Sequence, residues 1–246
     1  MLSGPPENFY QAIEYVNFFN ALDGFDNAGR IDQYLYPFYQ ADVKKGIVDD
    51  QIAEELFFQL FAVWANCGYW NIIIGGQKAD GSEAANELTH LVMRARKRIH
   101  KPKPSLSLRI TANTSDELLK EACGLIQAGI GQPALYNDNI YIKTLASIGI
   151  AKNDAVEYVL GGCTETHIPG KSSIRDAFFS VAKCLELVFY NGRVSLDGAK
   201  LGLPTGKPED LKSFTDFFSA YKKQCEYLID KFVFYRNRIQ EIVAGS

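Results

Sequence analysis

Val159-Leu160-Gly161-Gly162-Cys163-Thr164-Glu165-Thr166-His167-Ile168-Pro169-Gly170-Lys171-Ser172 is organised around a single thiol. An apolar run, Ala155 to Leu160, stops at two glycines, and Cys163 and Glu165 follow. The pattern predicts a buried strand that turns sharply and offers a thiol at the tip of a loop. Glycine opens backbone angles closed to other residues and lets the chain approach a neighbouring surface. Residues i and i+2 of such a loop can reach one small cavity. A thiol and a carboxylate held there form a reactive pair, one abstracting and the other moving a proton.

The sequence before this loop alternates strand and helix. Ser105-Leu106-Ser107-Leu108-Arg109-Ile110 has the period of two expected of a strand. Ser115 opens a helix carrying Leu118, Leu119, Ala122, Leu125 and Ile126, which ends near Gly129. Pro133 to Tyr136 reads as a short strand and Ile140 to Ile148 as a helix. Ala155 to Leu160 reads as the strand into the thiol loop. Helical periodicity dominates the first hundred residues: Phe9, Ile13, Val16, Phe19 and Leu22 form one stripe. Ile52, Leu56, Phe57, Leu60 and Val63 form another, with Asp49 or Asp50 as N-cap. Ser82 to His100 reads as a third helix. Beyond the loop, Arg175 to Phe189 is helical, Gly198 to Pro208 is a loop, and Glu209 to Val243 is one long helix or two in series. The alternation favours an α/β layer or barrel.

At 246 residues the chain is the size of one large domain or two small ones. A chain of about 300 residues buries about 75% of its unfolded surface, so a sizeable core is expected. A net charge of −3 argues against nucleic acid as a partner. Runs are too short for a membrane span, and the first residues lack the basic and apolar regions of a secretory leader. The five cysteines, Cys67, Cys123, Cys163, Cys184 and Cys225, contain no C-x-x-C pair. That spacing excludes most zinc and iron–sulfur patterns and fits reduced thiols in a cytoplasm. Cys123, Cys184 and Cys225 sit in helical patterns and are expected to be small core residues. With three histidines and no ligand spacing, no metal site is expected.

Several further segments carry a resemblance. They are Gly29-Arg30-Ile31-Asp32-Gln33-Tyr34-Leu35-Tyr36-Pro37-Phe38-Tyr39; Gly75-Gly76-Gln77-Lys78-Ala79-Asp80-Gly81-Ser82-Glu83 continuing through Asn86-Glu87-Leu88-Thr89; and Gly131-Gln132-Pro133-Ala134 with Asn137-Asp138. Asn191-Gly192-Arg193, Gly198, Gly202 and Thr205-Gly206 follow in order. Together with the Gly-Cys-x-Glu loop, they resemble the glycyl radical enzymes, the pyruvate formate-lyase-like superfamily, across the whole chain. The resemblance implies part of a ten-stranded α/β barrel with surrounding helices. Residues 1–246 would be its central portion, with the opening part of the barrel and the C-terminal glycyl radical domain outside it.

The resemblance also implies a chemistry. Cys163 becomes the thiyl radical that takes a hydrogen atom from a small-molecule substrate, and Glu165 is the matching acid or base. The glycyl radical would lie on a segment this chain lacks, installed by a radical SAM activase, so the chain alone is expected to be inactive. The missing parts of the enzyme or a homodimer partner are further expected associates. A lone Cys-x-Glu favours elimination or decarboxylation over acyl transfer to a second cysteine. Asp176, in an Asp-Ala pair thirteen residues beyond Cys163, matches a position that holds a substrate hydroxyl in the dehydratase-like branch. Burial of the loop tip in the barrel would desolvate Glu165 and raise its pKa.

Each of these residues has a plainer reading. Cys163 could be a buried thiol in a glycine-rich turn or a redox-sensing thiol, Glu165 a solvated loop carboxylate, and Asp176 a first-turn carboxylate of a helix. His167 reads as surface or packing. The chain could also be a non-catalytic remnant or accessory protein that keeps part of the fold. Two departures from the family pattern bear on substrate. Thr166 stands where proline is frequent, and Asp23-Gly24-Phe25-Asp26-Asn27 differs from the polar segment that binds substrate hydroxyls in some members. Pro169-Gly170-Lys171-Ser172 imitates a phosphate-binding loop, but Glu165 occupies the place of its first glycine.

Overall fold

The computed structural model describes residues 4–22, 24, 27–172 and 179–244. They belong to two compact units, Met1–Ile174 and Arg175–Ser246.

In the first unit, α1 (Phe9–Leu22) precedes β1 (Asn27–Arg30), α2 (Ile31–Tyr34), α3 (Tyr36–Lys44) and α4 (Asp50–Cys67). Then come β2 (Asn71–Gly75), α5 (Glu87–Ile99), β3 (Ser105–Ile110) and α6 (Asp116–Leu125), which runs into a π-helical turn, Ile126–Ile130. β4 (Ala134–Asn137), α7 (Asp138–Ser147), α8 (Lys152–Val156), β5 (Val159–Gly161) and β6 (Glu165–His167) complete it.

Local chemistry sets the helix ends. Asp49 caps α4 by accepting from the Ile52 amide at 2.8 Å, and Gly68 closes it in the left-handed region at φ 75°. Ser115 caps α6 from the Leu118 amide. Asn86 and Thr89 form a capping box for α5. That helix therefore starts later than Ser82. The intervening residues spend their backbone groups otherwise, Lys78 N–H donating to Ser82 and Ala84 N–H to Gly76, both at 2.8 Å.

The sheet is parallel, in the order β1-β2-β3-β4. Strand β2, Asn71-Ile72-Ile73-Ile74-Gly75, is buried throughout, as a strand covered on both faces must be. Its side chains alternate between two cores. Ile72 and Ile74 join Leu106, Leu108, Phe57, Phe61, Trp64, Leu91 and Val92 beneath α4 and α5. Ile73 joins Ile142, Ala155, Tyr158, Val159, Leu160 and Ile168 on the opposite face. The β5–β6 hairpin packs on that second face.

Residues 155 and 156 correct the expected strand. Ala155 and Val156 are helical, with the Ala155 amide donating to Ala151 at 2.8 Å, and the strand proper is only Val159–Gly161. A short apolar run does not separate a strand from a buried helical turn.

The second unit holds α9 (Val181–Phe189), a 3-10 turn at Pro208–Asp210 and α10 (Phe214–Ala244), one continuous helix of 31 residues. Helix α9 starts later than Arg175, with Ser180 as its cap; residues 173–178 lie outside the described residues. The loop between α9 and α10 is clasped by buried Gln224. Its amide nitrogen donates to the Leu203 carbonyl at 2.7 Å, and its oxygen accepts from the Leu203 amide at 3.0 Å. Gly192 is required there, since a Cβ would stand 2.3 Å from the Leu203 carbonyl oxygen. Cys184 is buried as expected, Cys225 is half-buried, and Cys123 of α6 is exposed, correcting its assignment to the core. The helical stripe carrying Cys123 turns Leu118, Ala122 and Leu125 inward instead. No helix among the described residues is long and apolar enough to cross a membrane.

Candidate functional site

The hairpin pairs Val159 with His167, Leu160 with Thr166 and Gly161 with Glu165 in antiparallel register. Gly162 (φ 49°) and Thr164 (φ 141°) make the reversal, and the Thr164 amide donates to the Gly161 carbonyl at 2.9 Å. Cys163 sits at the tip and is exposed. The tip thus has the expected glycine turn and thiol, but within this chain the sulfur is not in a closed chamber. From the sheet, Asn71 reaches the Leu160 carbonyl and Tyr136 of β4 reaches the Thr164 side chain at the tip.

Glu165 is exposed as well. Its carboxylate folds back on the tip, accepting from the Thr164 amide at 3.0 Å. Hydrogen bonds from its own amide, from that of Thr164 and from that of Cys163 hold its pKa below the ordinary glutamate value. The upward shift expected of a tip buried in the barrel is not seen at this exposed one, where backbone donors outweigh desolvation. Gly162 is needed for this fold-back, because a Cβ there would lie 2.6 Å from Glu165 Oε2. A depressed pKa means that the carboxylate's contribution to holding the tip is present above the unfolded value. It is lost as pH falls through the lower folded value. In a side-chain carboxyl NMR titration of this chain, Glu165 is expected to titrate below the ordinary value of about 4.3. Gly162→Ala is expected to move that midpoint upward by displacing the carboxylate; an unmoved midpoint would refute the arrangement.

Beneath the hairpin the sheet presents polar residues. The period-two alternation of β3 sends Leu106 and Leu108 to one core and Ser107 and Arg109 to the hairpin side. Ser107 Oγ donates to Asn71 Oδ1 at 3.1 Å, and Asn71 Nδ2 donates to the Leu160 carbonyl at 3.2 Å. Arg109 forms a bidentate pair with Asp138, both contacts at 2.8 Å and both side chains fully buried. Its remaining donors reach the Tyr158 carbonyl at 3.0 Å and the Val156 carbonyl at 2.8 Å. None of Asn71, Arg109 and Tyr158 was singled out as a site residue from the sequence. The signal was a single arginine in phase with two serines on one strand face.

Gly29–Tyr39 has a structural role. Asp32 is fully buried, accepting from the Gly75 amide at 2.7 Å and the Thr89 hydroxyl at 2.6 Å, and burial pushes its carboxyl pKa up. It ties the end of β2 to the first turn of α5. Buried Arg30 donates to Glu157 at 2.9 Å and to the Gly75 carbonyl at 3.1 Å. Burial, together with the charge of Arg109, lowers its pKa. On this side of the hairpin, Arg30, Tyr34, Glu157, His167 and Ser172 line a cavity of about 510 Å³. His167 is a packing residue: it is 6% exposed, with Nδ1 3.5 Å from Ser172 Oγ. Asp176 lies outside the described residues.

A family model of pyruvate formate lyase-like proteins matches residues 1–245. The chain belongs to that family, within the glycyl radical enzymes. The trans-4-hydroxy-L-proline dehydratase of Clostridioides difficile is 32% identical over 251 residues, which cover 92% of this chain and 32% of that protein. The isethionate sulfite-lyase of Oleidesulfovibrio alaskensis is 31% identical over 252 residues, covering 92% and 30% respectively. A solved structure concerned with 1,2-propanediol dehydration in Roseburia inulinivorans superposes with a TM-score of 0.73 at 32% identity, covering 95% of this chain and 32% of that one. The chain therefore spans about a third of the length of the relatives it matches. The α/β class expected from the alternation of strands and helices is the one observed, and the barrels of this family are its structural neighbours.

Proposed function

We propose that this chain carries the radical cysteine and the acid/base of a glycyl radical dehydratase or lyase acting on a small substrate. The bond broken would be C–O, C–N, C–S or C–C. One observation carries the reading: Cys163 and Glu165 share the tip of one hairpin, in a chain whose relatives are named as a dehydratase and a sulfite-lyase. When present, the glycyl radical, installed by a radical SAM activase on polypeptide beyond this chain, supplies the unpaired electron that reaches the Cys163 sulfur. Cys163 then takes a hydrogen atom from a substrate carbon. Glu165 delivers a proton to a departing hydroxyl, or removes one from a substrate group, as the neighbouring bond breaks. The product radical recovers hydrogen from the Cys163 thiol, so the sulfur ends as it began. Asp176 is assigned to a substrate hydroxyl by its place after the loop.

The exposed tip fits a division of labour. This chain sets the hairpin, and polypeptide corresponding to the other two thirds of the relatives closes the chamber. Closure would strip water from Glu165 and raise its pKa from the depressed value it has at an open tip. The test is the complete polypeptide, activated without oxygen and offered trans-4-hydroxyproline, isethionate and vicinal diols in deuterated water. Glu165→Gln is expected to lower kcat by about 10²–10⁴ on the accepted substrate. Deuterium should still enter recovered substrate through the Cys163 thiol. Turnover within about ten-fold of the parent would remove Glu165 from the mechanism.

A further inference from the structure

Strand β5 has three residues, Val159–Gly161, and among the described residues its only ladder partner is the equally short β6. Two side chains from the sheet below nevertheless hold it, one at the residues leading into it and one at its middle residue. At its base, Arg109 donates to the carbonyls of Val156 and Tyr158 at 2.8 and 3.0 Å, while its guanidinium carbon lies 4.0 Å from the centre of the Tyr158 ring. Asp138 fixes the guanidinium from the far side and accepts in turn from the Tyr158 hydroxyl at 2.8 Å. At its neck, Asn71 donates to the Leu160 carbonyl, with its amide oriented by Ser107. Arg109, Asp138 and Tyr158 are fully buried, and Asn71 is 2% exposed. Gly76 permits the close approach, since a Cβ there would stand 2.8 Å from both Arg109 Nε and Asp138 Oδ2. Beyond Leu160, the exposed tip is held by hydrogen bonds within itself and by one from the sheet, between the side chains of Tyr136 and Thr164.

We propose that Arg109 and Asn71 form a two-point clamp on β5 and the residues leading into it, and that this clamp sets where the Cys163 thiol is presented. Both are positioning residues. They act on main-chain carbonyls three to seven residues before the sulfur and touch neither it nor Glu165 in any contact described here. The inference rests on the reading of Cys163 as the reactive thiol, but its first test does not. A planar guanidinium with several donors in a fixed fork serves a carboxylate and two carbonyls together; an ammonium keeps the charge and loses the fork. Losing one such buried bond should favour local opening of the hairpin by roughly ten-fold.

The experiment is hydrogen exchange by mass spectrometry on this chain and on its Arg109→Lys and Asn71→Ala variants. In each variant, amides of residues 159–167 are expected to exchange roughly ten-fold faster, while those of β3 change by less than about two-fold. Unchanged hairpin exchange would overturn the clamp. So would equal loosening of hairpin and β3, which marks a merely structural role. Should Arg109→Lys fail to fold, Asn71→Ala decides alone by the same criterion. In the complete activated enzyme, both variants are expected to lower kcat with KM and radical content unchanged, because substrate binding and radical installation lie elsewhere. If Cys163→Ser leaves that enzyme active while the exchange result stands, the functional reading fails and the clamp survives.

Discussion

Replacing Cys163 by serine in the complete, activated polypeptide is expected to reduce turnover by at least about 10⁴-fold, a barrier increase of about 5 kcal/mol. The reason is bond strength. A sulfur-centred radical and a substrate C–H bond are nearly matched, so the hydrogen can move in both directions; an alkoxyl radical on serine would be far too costly to form from the same source. The geometry makes this a clean substitution. In this chain Cys163 is exposed at a hairpin tip, so exchanging sulfur for oxygen here removes no core contact. Surface changes of this kind alter stability by about 0.5 kcal/mol or less. Thermal unfolding of this chain with Cys163→Ser should match that of the unsubstituted chain. Activity within about ten-fold of the parent, with unfolding unchanged, would end the reading of Cys163 as the hydrogen-abstracting group. Radical content measured by electron paramagnetic resonance should persist in the variant, because installation does not need this thiol.

The thiol loop was legible in sequence because its signals are local. Gly161-Gly162 before Cys163 announces a reversal, and the reversal stands there, with Gly162 in the left-handed region. Caps at Asp49 and Ser115 were equally legible, since each depends on a side chain and an amide three residues on. The environment of the tip was not. Whether a loop is dry depends on what else surrounds it, and the residue pattern of 159–172 is the same in either case. Glu165 shows the consequence: its pKa follows from backbone donors at an open turn, where the family resemblance led to desolvation. Strands β1 and β2 also escaped a reading by periodicity. Asn27-Ala28-Gly29-Arg30 alternates in burial but has almost no apolar content to show it, and Asn71-Ile72-Ile73-Ile74-Gly75 is buried on both faces, so neither alternates in hydropathy. The clamp was half visible. Arg109 stood in phase with Ser105 and Ser107, which marked a polar strand face, but its partner Asp138 lies 29 residues on and only the sheet brings them together.

That partner gives the largest expected effect on stability. Asp138→Ala should destabilise the first unit by about 3–5 kcal/mol, read as a fall in urea midpoint at unchanged slope. The carboxylate is fully buried and accepts from four donors: Arg109 Nε and Nη2, the Tyr158 hydroxyl and the Gln77 amide. Removing it leaves the guanidinium inside the protein without a counter-charge and strands the other two groups. The exposed pair between Lys171 and Asp154 offers the contrast. With 60% and 30% of the side chains accessible, its loss should cost less than about 1 kcal/mol, since water and salt already screen it. Against a total stability of about 5–15 kcal/mol, the first change threatens the fold and the second does not. An Asp138→Ala cost near that of Lys171→Ala would mean that water reaches Arg109, contradicting its burial. Changing both partners, Arg109→Met with Asp138→Leu, should recover much of the loss, because two apolar side chains need no counter-charge. The recovery should be incomplete, since the carbonyls of Val156 and Tyr158 would still lack the donors that Arg109 supplies.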